Sequence, residues 1–516
     1  MCGRFLFLLC GLGLAACGGG GALEFVPQCV APIPLTAAEV TTIITQAANR
    51  SLLDGDAHVI SVVTREGVEL GTFAMTGAGP AASATKARSA AFLSSDRHSF
   101  NTRTAAFIIA DHFPPTVGQT PGGPLYGVQF SSLPNSDIVG AALPGTVLMT
   151  GTGLSGDPGS LPLYKGGCLV GAVGVDGGAS AAGEERSAWS GALGFRPDPL
   201  IYGSVIFIDG VSLAFLEETP PDVTPTVPFG SLSGAVLVPP MDAPAPPAFA
   251  TAMIGGLTVE VIIPAAGTPF LDSPSTALLA ADVDAMMNAA AALSDRLRAG
   301  IRRPLGSPAR MFIAVVDTDG VVLGCIRTPE ATYFSLDVAV QKARTAAFFS
   351  SNTAAFTTRG LGFISQGFFP PGLDAEPPGP LHMLQDRLNP IAETLALPLP
   401  NGITIFPGGV ALYKGGVLVG GIGVSGDGVD QDDMVAQEGG ALFPPPPGVR
   451  ADELPEATVI ADLDMRLIEI GVAAAVSPSP GAAMLSTRVA TARMSLAGGL
   501  QGIRLPYVKF PRQPFR

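Results

Sequence analysis

LYKGGCLVGAVGV at Leu163–Val175 returns as LYKGGVLVGGIGV at Leu412–Val424, and this repetition decides the fold. Working outward, KARSAAFLSS at Lys86–Ser95 returns as KARTAAFFSS at Lys342–Ser351. FNTR at Phe100–Arg103 returns as FTTR at Phe356–Arg359, and GFRPD at Gly194–Asp198 as GVRAD at Gly448–Asp452. The motifs keep their order in both halves, so one domain occurs twice in tandem. The period is too long for a stacked repeat.

Each copy reads as an α/β unit. Thr36 and Glu39 form a capping box ahead of Val40, Ile43, Ile44, Ala47 and Ala48 at helical spacing. The second copy's helix starts at Leu279, with Val283, Met286, Met287, Ala290 and Ala291 on one face. A hairpin follows in each: Val59–Val63, a turn at Glu66-Gly67 and Val68–Phe73, matched by Phe312–Val316, Asp319-Gly320 and Val321–Ile326. The KARxAAF segment is a second helix, and Lys-Gly-Gly turns a closing hairpin. A long loop carries Phe113-Pro114-Pro115 and Phe369-Pro370-Pro371. Within it GGPLYGVQ (Gly122–Gln129) aligns with PGPLHMLQ (Pro378–Gln385), which sets Tyr126 against His382. Val205–Phe215 and Val459–Ile470 read as appended β-rich runs. Leu257–Ile263 reads as a strand within a Pro-rich linker, and Gly502–Val508 as a possible strand in the tail.

The expected fold class is therefore α/β: tandem domains, each an antiparallel sheet flanked by helices, with appended β-strands and a Pro/Gly-rich linker. The expected divisions are a signal peptide at 1–16, a lipidated tether at 17–34, the first domain at 35–217, the linker at 218–275, the second domain at 276–471 and a tail at 472–516.

Of the 516 residues 47% are hydrophobic and only 14% charged, with 65 Gly and 48 Pro, so turns and irregular connections are abundant. A net charge of −14 argues against nucleic acid, which needs clustered Lys and Arg. Arg4 precedes an apolar run, Phe5–Ala16, too short to span a bilayer as a helix. It ends in Leu14-Ala15-Ala16-Cys17, followed by Gly18–Gly21. This arrangement resembles the lipobox of bacterial lipoproteins, which implies cleavage before Cys17, lipidation of its thiol and a cell-envelope location, with Gly18 pointing to the outer membrane. Val227–Leu271 is apolar but broken by Pro and Gly, so it does not read as a span. After cleavage Cys17, Cys29, Cys168 and Cys325 remain. With Cys17 lipidated the other three cannot all pair within one chain, and their pairing stays open. Cys168 and Cys325 lie in apolar strand patterns and read as small core residues.

The repeated elements resemble the GlcG/HbpS-like, or haem-degrading, domain family. The residues that carry the resemblance are VVDTDG at Val315–Gly320, the helix with Lys342-Ala343-Arg344-Thr345-Ala346, the turn at Pro407-Gly408-Gly409, and GGIGVSGDGVDQDD at Gly420–Asp433. The second copy fits over Leu279–Ala441. The first fits over Leu35–Gly178, but its ending, DGGASAAGEERS at Asp176–Ser187, departs from the pattern. The resemblance implies an antiparallel sheet flanked by helices and association as dimers or larger rings, here with the two repeats as an intramolecular pseudo-dimer and a homo-oligomer as a further expectation. Some members bind haem, so the leading expectation is a surface-anchored, non-enzymatic binding protein for haem or a related tetrapyrrole. A structural envelope lipoprotein without a ligand, and a haem-degrading or small-metabolite enzyme, are the alternatives.

Haem needs an axial ligand and partners for its propionates. His382 and its aligned Tyr126 are candidate ligands, and the second copy is the expected site because imidazole ligates iron more readily than a phenol. His58 begins a strand, His98 reads as solvated beside Asp96 and Arg97, and His112 precedes Phe113. Lys86, Arg88, Lys342, Arg344, Arg103 and Arg359 are duplicated cations able to meet an anion; their plainer reading is ordinary surface pairing. Asp427, Asp430, Asp432 and Asp433 form the densest carboxylate cluster, a candidate for a hard cation or simply a helix N-terminus. No catalytic set converges: GxSxG, a P-loop and a dinucleotide fingerprint are all absent from the sequence.

Overall fold

The computed structural model describes residues 28–127, 136–137 and 153–509. The leader, Cys17 and its expected lipidation lie outside the described residues. The first copy runs α1 (Ala37–Asp54), β1 (Val59–Thr64), β2 (Glu69–Met75), α2 (Ser83–Leu93), α3 (Thr102–Ile108), β3 (Ser160–Lys165), β4 (Cys168–Asp176) and α4 (Ala181–Gly191). A two-residue pair follows, β5 (Phe207–Ile208) and β6 (Val211–Ser212), and then the linker strands β7 (Gly234–Val238), β8 (Ala250–Ile254) and β9 (Leu257–Ile263). The second copy repeats the plan as α5 (Ala280–Arg296), β10 (Phe312–Asp317), β11 (Val322–Arg327), α6 (Ser335–Phe349), α7 (Thr358–Phe363), α8 (Leu384–Leu388), β12 (Gly409–Lys414), β13 (Val417–Ser425) and α9 (Val429–Gly440). Two longer helices, α10 (Glu456–Val476) and α11 (Ala482–Ala497), complete it.

Both sheets are antiparallel. Their orders are β3-β4-β1-β2-β7 and β12-β13-β10-β11-β9-β8, so the linker supplies the extra edge strands of both. The repeated register pairs Val59 with Asp176 in one and Phe312 with Ser425 in the other. Thr36 caps α1 with the expected capping box. Asn101 and Thr357, the second residues of FNTR and FTTR, cap α3 and α7 through their side chains.

Strand alternation divides the side chains between two faces. On the outer face Val40, Ile43 and Ile44 of α1 pack on Ile60, Val62 and Val173, and Val283, Met286 and Met287 of α5 pack on Ile313, Val315 and Ile422. The inner faces carry α2 and α6, and there the copies meet. Val63, Ala87, Ala91 and Phe92 share one buried cluster with Phe312, Ala314, Ala339 and Ala343. Across this seam Phe334 N–H donates to Phe92 O at 3.1 Å and Arg303 N–H to Arg97 O at 2.9 Å. The two repeats thus form an intramolecular pair.

The glycines of the decisive repeat let each inner helix sit directly on its strand. A Cβ at Gly174 would lie 2.0 Å from Ser83 O, and one at Gly423 2.0 Å from Ala339 O.

Several local expectations are corrected. Val459–Ile470 is not β-structure but the middle of α10, with Val459, Leu463, Leu467 and Ile470 buried along one helical stripe against α11. Val205–Phe215 contains only the short β5–β6 pair. Gly502–Val508 forms no strand. Cys168 is more than a core residue, since it is disulfide-bonded to Cys29, while Cys325 is buried and free. No helix among the described residues is long and apolar enough to cross a membrane.

Candidate functional site

The duplicated cations are bound internally. Lys342 Nζ on α6 donates to Asp432 at 2.8 Å and to Val424 O at 2.8 Å, with the Phe406 ring 4.7 Å away. Arg359 at the start of α7 pairs with Asp433 and, at 2.5 Å, with Asp430. The first copy repeats the quartet: Lys86 meets Glu184 at 2.7 Å, and Arg103 meets Glu185 at 2.7 Å. The departing ending of that copy therefore keeps the carboxylate pair as Glu184-Glu185, shifted by one residue against Asp432-Asp433. That shift hid it in the sequence; the signal was an acidic pair on the helix after the closing strand.

The surroundings of the two lysines differ. Asp157 stands where the second copy has Phe406, and Asp176 where it has Ser425. Lys86 therefore also meets Asp157 at 2.6 Å and Asp176 at 2.8 Å. Burial works against its charge, but the three carboxylates outweigh it and raise its pKa. Asp157, Asp176 and Glu184 have the spacing of a metal-ligand group, and the ammonium of Lys86 stands among them as the cation. In the second copy burial pushes the Asp432 carboxyl up to about 7 and the Lys342 ammonium down.

The arginines of KARxAAF have a different task. Arg88 Nε donates to Gly67 O and Arg344 Nε to Gly320 O, each at 2.9 Å, which fixes the turns of the β1–β2 and β10–β11 hairpins. Arg344 also binds Asn401 at 2.8 Å and Asp137 of the first copy at 2.5 Å. Among the acidic candidates, Asp427 accepts from the fully buried Arg302 and from Gly300 N–H. The carboxylates of Asp427, Asp430, Asp432 and Asp433 are all engaged by protein cations.

The histidines separate clearly. His98 is fully buried, contrary to its solvated reading, with Nδ1 2.8 Å from Ser95 Oγ and Nε2 3.1 Å from Leu93 O. His58 is buried too, with Nδ1 2.7 Å from Ser51 Oγ and Nε2 3.2 Å from Asp56. His112 reaches Thr120 O at 2.7 Å and Asp374 at 3.4 Å, and stacks on Phe368 across the seam. His382 is half-buried, and among the described residues its hydrogen bonds run through Nδ1 alone, to Tyr126 Oη and Ser365 O, each at 3.4 Å.

The aligned loop residues of the two copies thus converge. Tyr126 and His382 line a cell of about 10 Å³ together with Gln385 and Asp386. Burial, then the negative charges of Asp111 and Asp386, holds the Tyr126 phenol protonated. Burial also raises the Asp386 carboxyl. The donor types suit iron. The room does not suit a tetrapyrrole, since ligand pockets start at about 300 Å³. An apolar cavity elsewhere on the seam, between Phe100 and Phe334, measures only about 60 Å³. A cleft of about 690 Å³ lies between α6, the hairpin turns and α10, lined by Phe348, Leu397, Leu418 and Arg466, and its lining holds no His, Tyr, Cys or Met. The described residues therefore offer iron ligands and ligand-sized space in different places.

The family model for the haem degrading protein HbpS-like matches twice, at residues 35–191 and 285–441. Among solved structures, a PduOC:heme complex is 25% identical, with a TM-score of 0.23 over 32% of this chain and 92% of that one. The Klebsiella pneumoniae protein ORFY is 25% identical, with a TM-score of 0.20 over 26% and 74%. A double mutant of Streptomyces reticuli HbpS is 22% identical, with a TM-score of 0.21 over 33% and 90%. No curated protein matches the chain.

Proposed function

The chain belongs to the HbpS-like family of haem degrading proteins, and from that premise we propose that it binds haem or a related tetrapyrrole without transforming it, anchored in the cell envelope through a lipidated Cys17. One observation carries the choice of site. Of the four histidines, His382 is the one whose Nε2 is uncommitted among the described residues. The Ser365 carbonyl on Nδ1 is the kind of partner that orients an imidazole for ligation through the opposite nitrogen. Because the cell beside it is small, the ligand would approach the rim of the seam or part the two loops. The Leu14–Cys17 pattern supports the anchor and its outer-membrane placement, and the Cys29–Cys168 disulfide fits an oxidising compartment.

The internal neutralisation of Lys86, Lys342, Arg103 and Arg359 favours a second reading, an envelope scaffold that keeps the fold and binds nothing. Titration of the purified full-length protein with hemin separates the two. The binding reading expects a saturable Soret shift that weakens at least tenfold in His382→Ala and less in Tyr126→Phe. The absence of any saturable shift leaves the scaffold reading. Loss of the Soret band on adding reductant would point instead to an enzyme.

A further inference from the structure

The cell between Tyr126 and His382 has a feature that neither haem binding nor packing uses. Gln385 is 2% exposed and lines the cell, yet neither its carbonyl nor its amino group has a hydrogen-bond partner among the described residues. A buried amide left unpaired has lost its water without gaining a partner, which is unfavourable. Such a group is normally satisfied by something bound beside it.

The dimensions indicate what that is. About 10 Å³ is room for one small particle, a water or an ion. Tyr126 Oη and His382 Nδ1 stand 3.4 Å apart, long for a hydrogen bond between them. Two donors each about 2.1 Å from a common ion at a tetrahedral angle are about 3.4 Å apart.

We propose that this cell binds a single hard transition-metal cation, ligated by Tyr126 Oη as phenolate, His382 Nδ1, Gln385 Oε1 and the Asp386 carboxylate. Oxygen-rich donors with one imidazole suit a trivalent ion such as ferric iron. Binding breaks the O–H bond of Tyr126, and its proton leaves to solvent as the metal–oxygen bond forms. The bound charge reverses the local preference for a neutral phenol. The site needs both copies, because Tyr126 comes from the first and the other three ligands from the second. It does not rest on the haem reading. Hemin at Nε2 and a bare ion at Nδ1 need opposite tautomers of His382, so each should exclude the other.

The test is titration of the full-length protein with ferric nitrilotriacetate, in the absence of hemin. The expected result is one equivalent of iron bound, with a visible phenolate-to-iron charge-transfer band and release of one proton. Tyr126→Phe keeps the ring and its packing but should abolish the band. His382→Ala and Gln385→Leu should each weaken iron binding at least tenfold while unfolding cooperatively. No saturable band overturns the proposal, as does a band that survives in Tyr126→Phe or a crystal structure of the iron-soaked protein with only water in the cell. The Soret titration is read separately, so either result can stand without the other.

Discussion

Lys342 and Asp432 show at the level of single residues why the duplicated cations are fixed. Both side chains are almost wholly out of water, at 0% and 2% exposed. Removing one partner of such a pair strands the other charge and costs about 3–5 kcal/mol, whereas replacing both with apolar groups of similar volume is often neutral. Lys342→Met should therefore destabilise by roughly that amount in urea unfolding, and Lys342→Met with Asp432→Leu should recover most of it. Asp337 provides a pH signature. Burial pushes its carboxyl up to about 7, while Ser136 of the first copy hydrogen-bonds to it across the seam. A carboxyl whose folded pKa lies above its unfolded value near 4 adds stability that is complete below that value and lost as pH rises through about 7. The protein should thus lose stability between pH 5 and pH 8. Asp337→Asn should flatten that loss by an amount on the order of a few kcal/mol, read from urea midpoints at the two pH values. At this scale the sequence showed which residues recur but not their partners. It placed Tyr126 opposite His382, but an ion pair between Lys86 and Glu184 spans 98 positions and leaves no local pattern.

At the scale of elements, the hairpins and inner helices were legible because period-two strands, Gly turns and capping residues are local signals. The helix α10 was not. Val459, Ile460, Leu463, Ile468 and Ile470 are rich in β-branched and aliphatic side chains, which mimic a strand. The helical evidence lies in the spacing of Val459, Leu463, Leu467 and Ile470, and in Pro455 at the cap. Tertiary packing against α11 then overrides propensity. The strand glycines were visible as a repeat, but their reason, contact with a helix distant in sequence, was not. Gly423→Ala should destabilise by about 1–3 kcal/mol or more through overpacking against Ala339 O, as measured by thermal or urea unfolding. The control lies in a turn: Gly415 has open space around its Cβ position and a φ of 62°, which Asn tolerates, so Gly415→Asn should cost much less.

At the scale of the whole molecule, duplication places two copies of one domain in a single chain, with a shared core and a seam that brings Tyr126 to His382. The tandem plan was plain in the sequence, whereas the faces that meet were not, because α2 and α6 carry small residues that look like any helix–sheet contact. The Cys29–Cys168 disulfide closes a loop of 139 residues and ties the N-terminal segment to the first sheet. By the chain-entropy argument its loss should cost up to about 5 kcal/mol. Cys29→Ser with Cys168→Ser should unfold at a clearly lower temperature than the wild type, and reductant should lower the wild type but not the variant.

The most direct measurement on the paired architecture uses the exposed linker. A protease site inserted at Ala245, between β7 and β8, allows the chain to be cut where it is exposed and outside both sheets. After cleavage under native conditions, sedimentation should show the two fragments moving together as a 1:1 complex of the parent's mass, held by the buried seam around Phe92 and Phe312. Fragments that separate into two folded species would contradict the shared core and, with it, any site built from Tyr126 and His382 together.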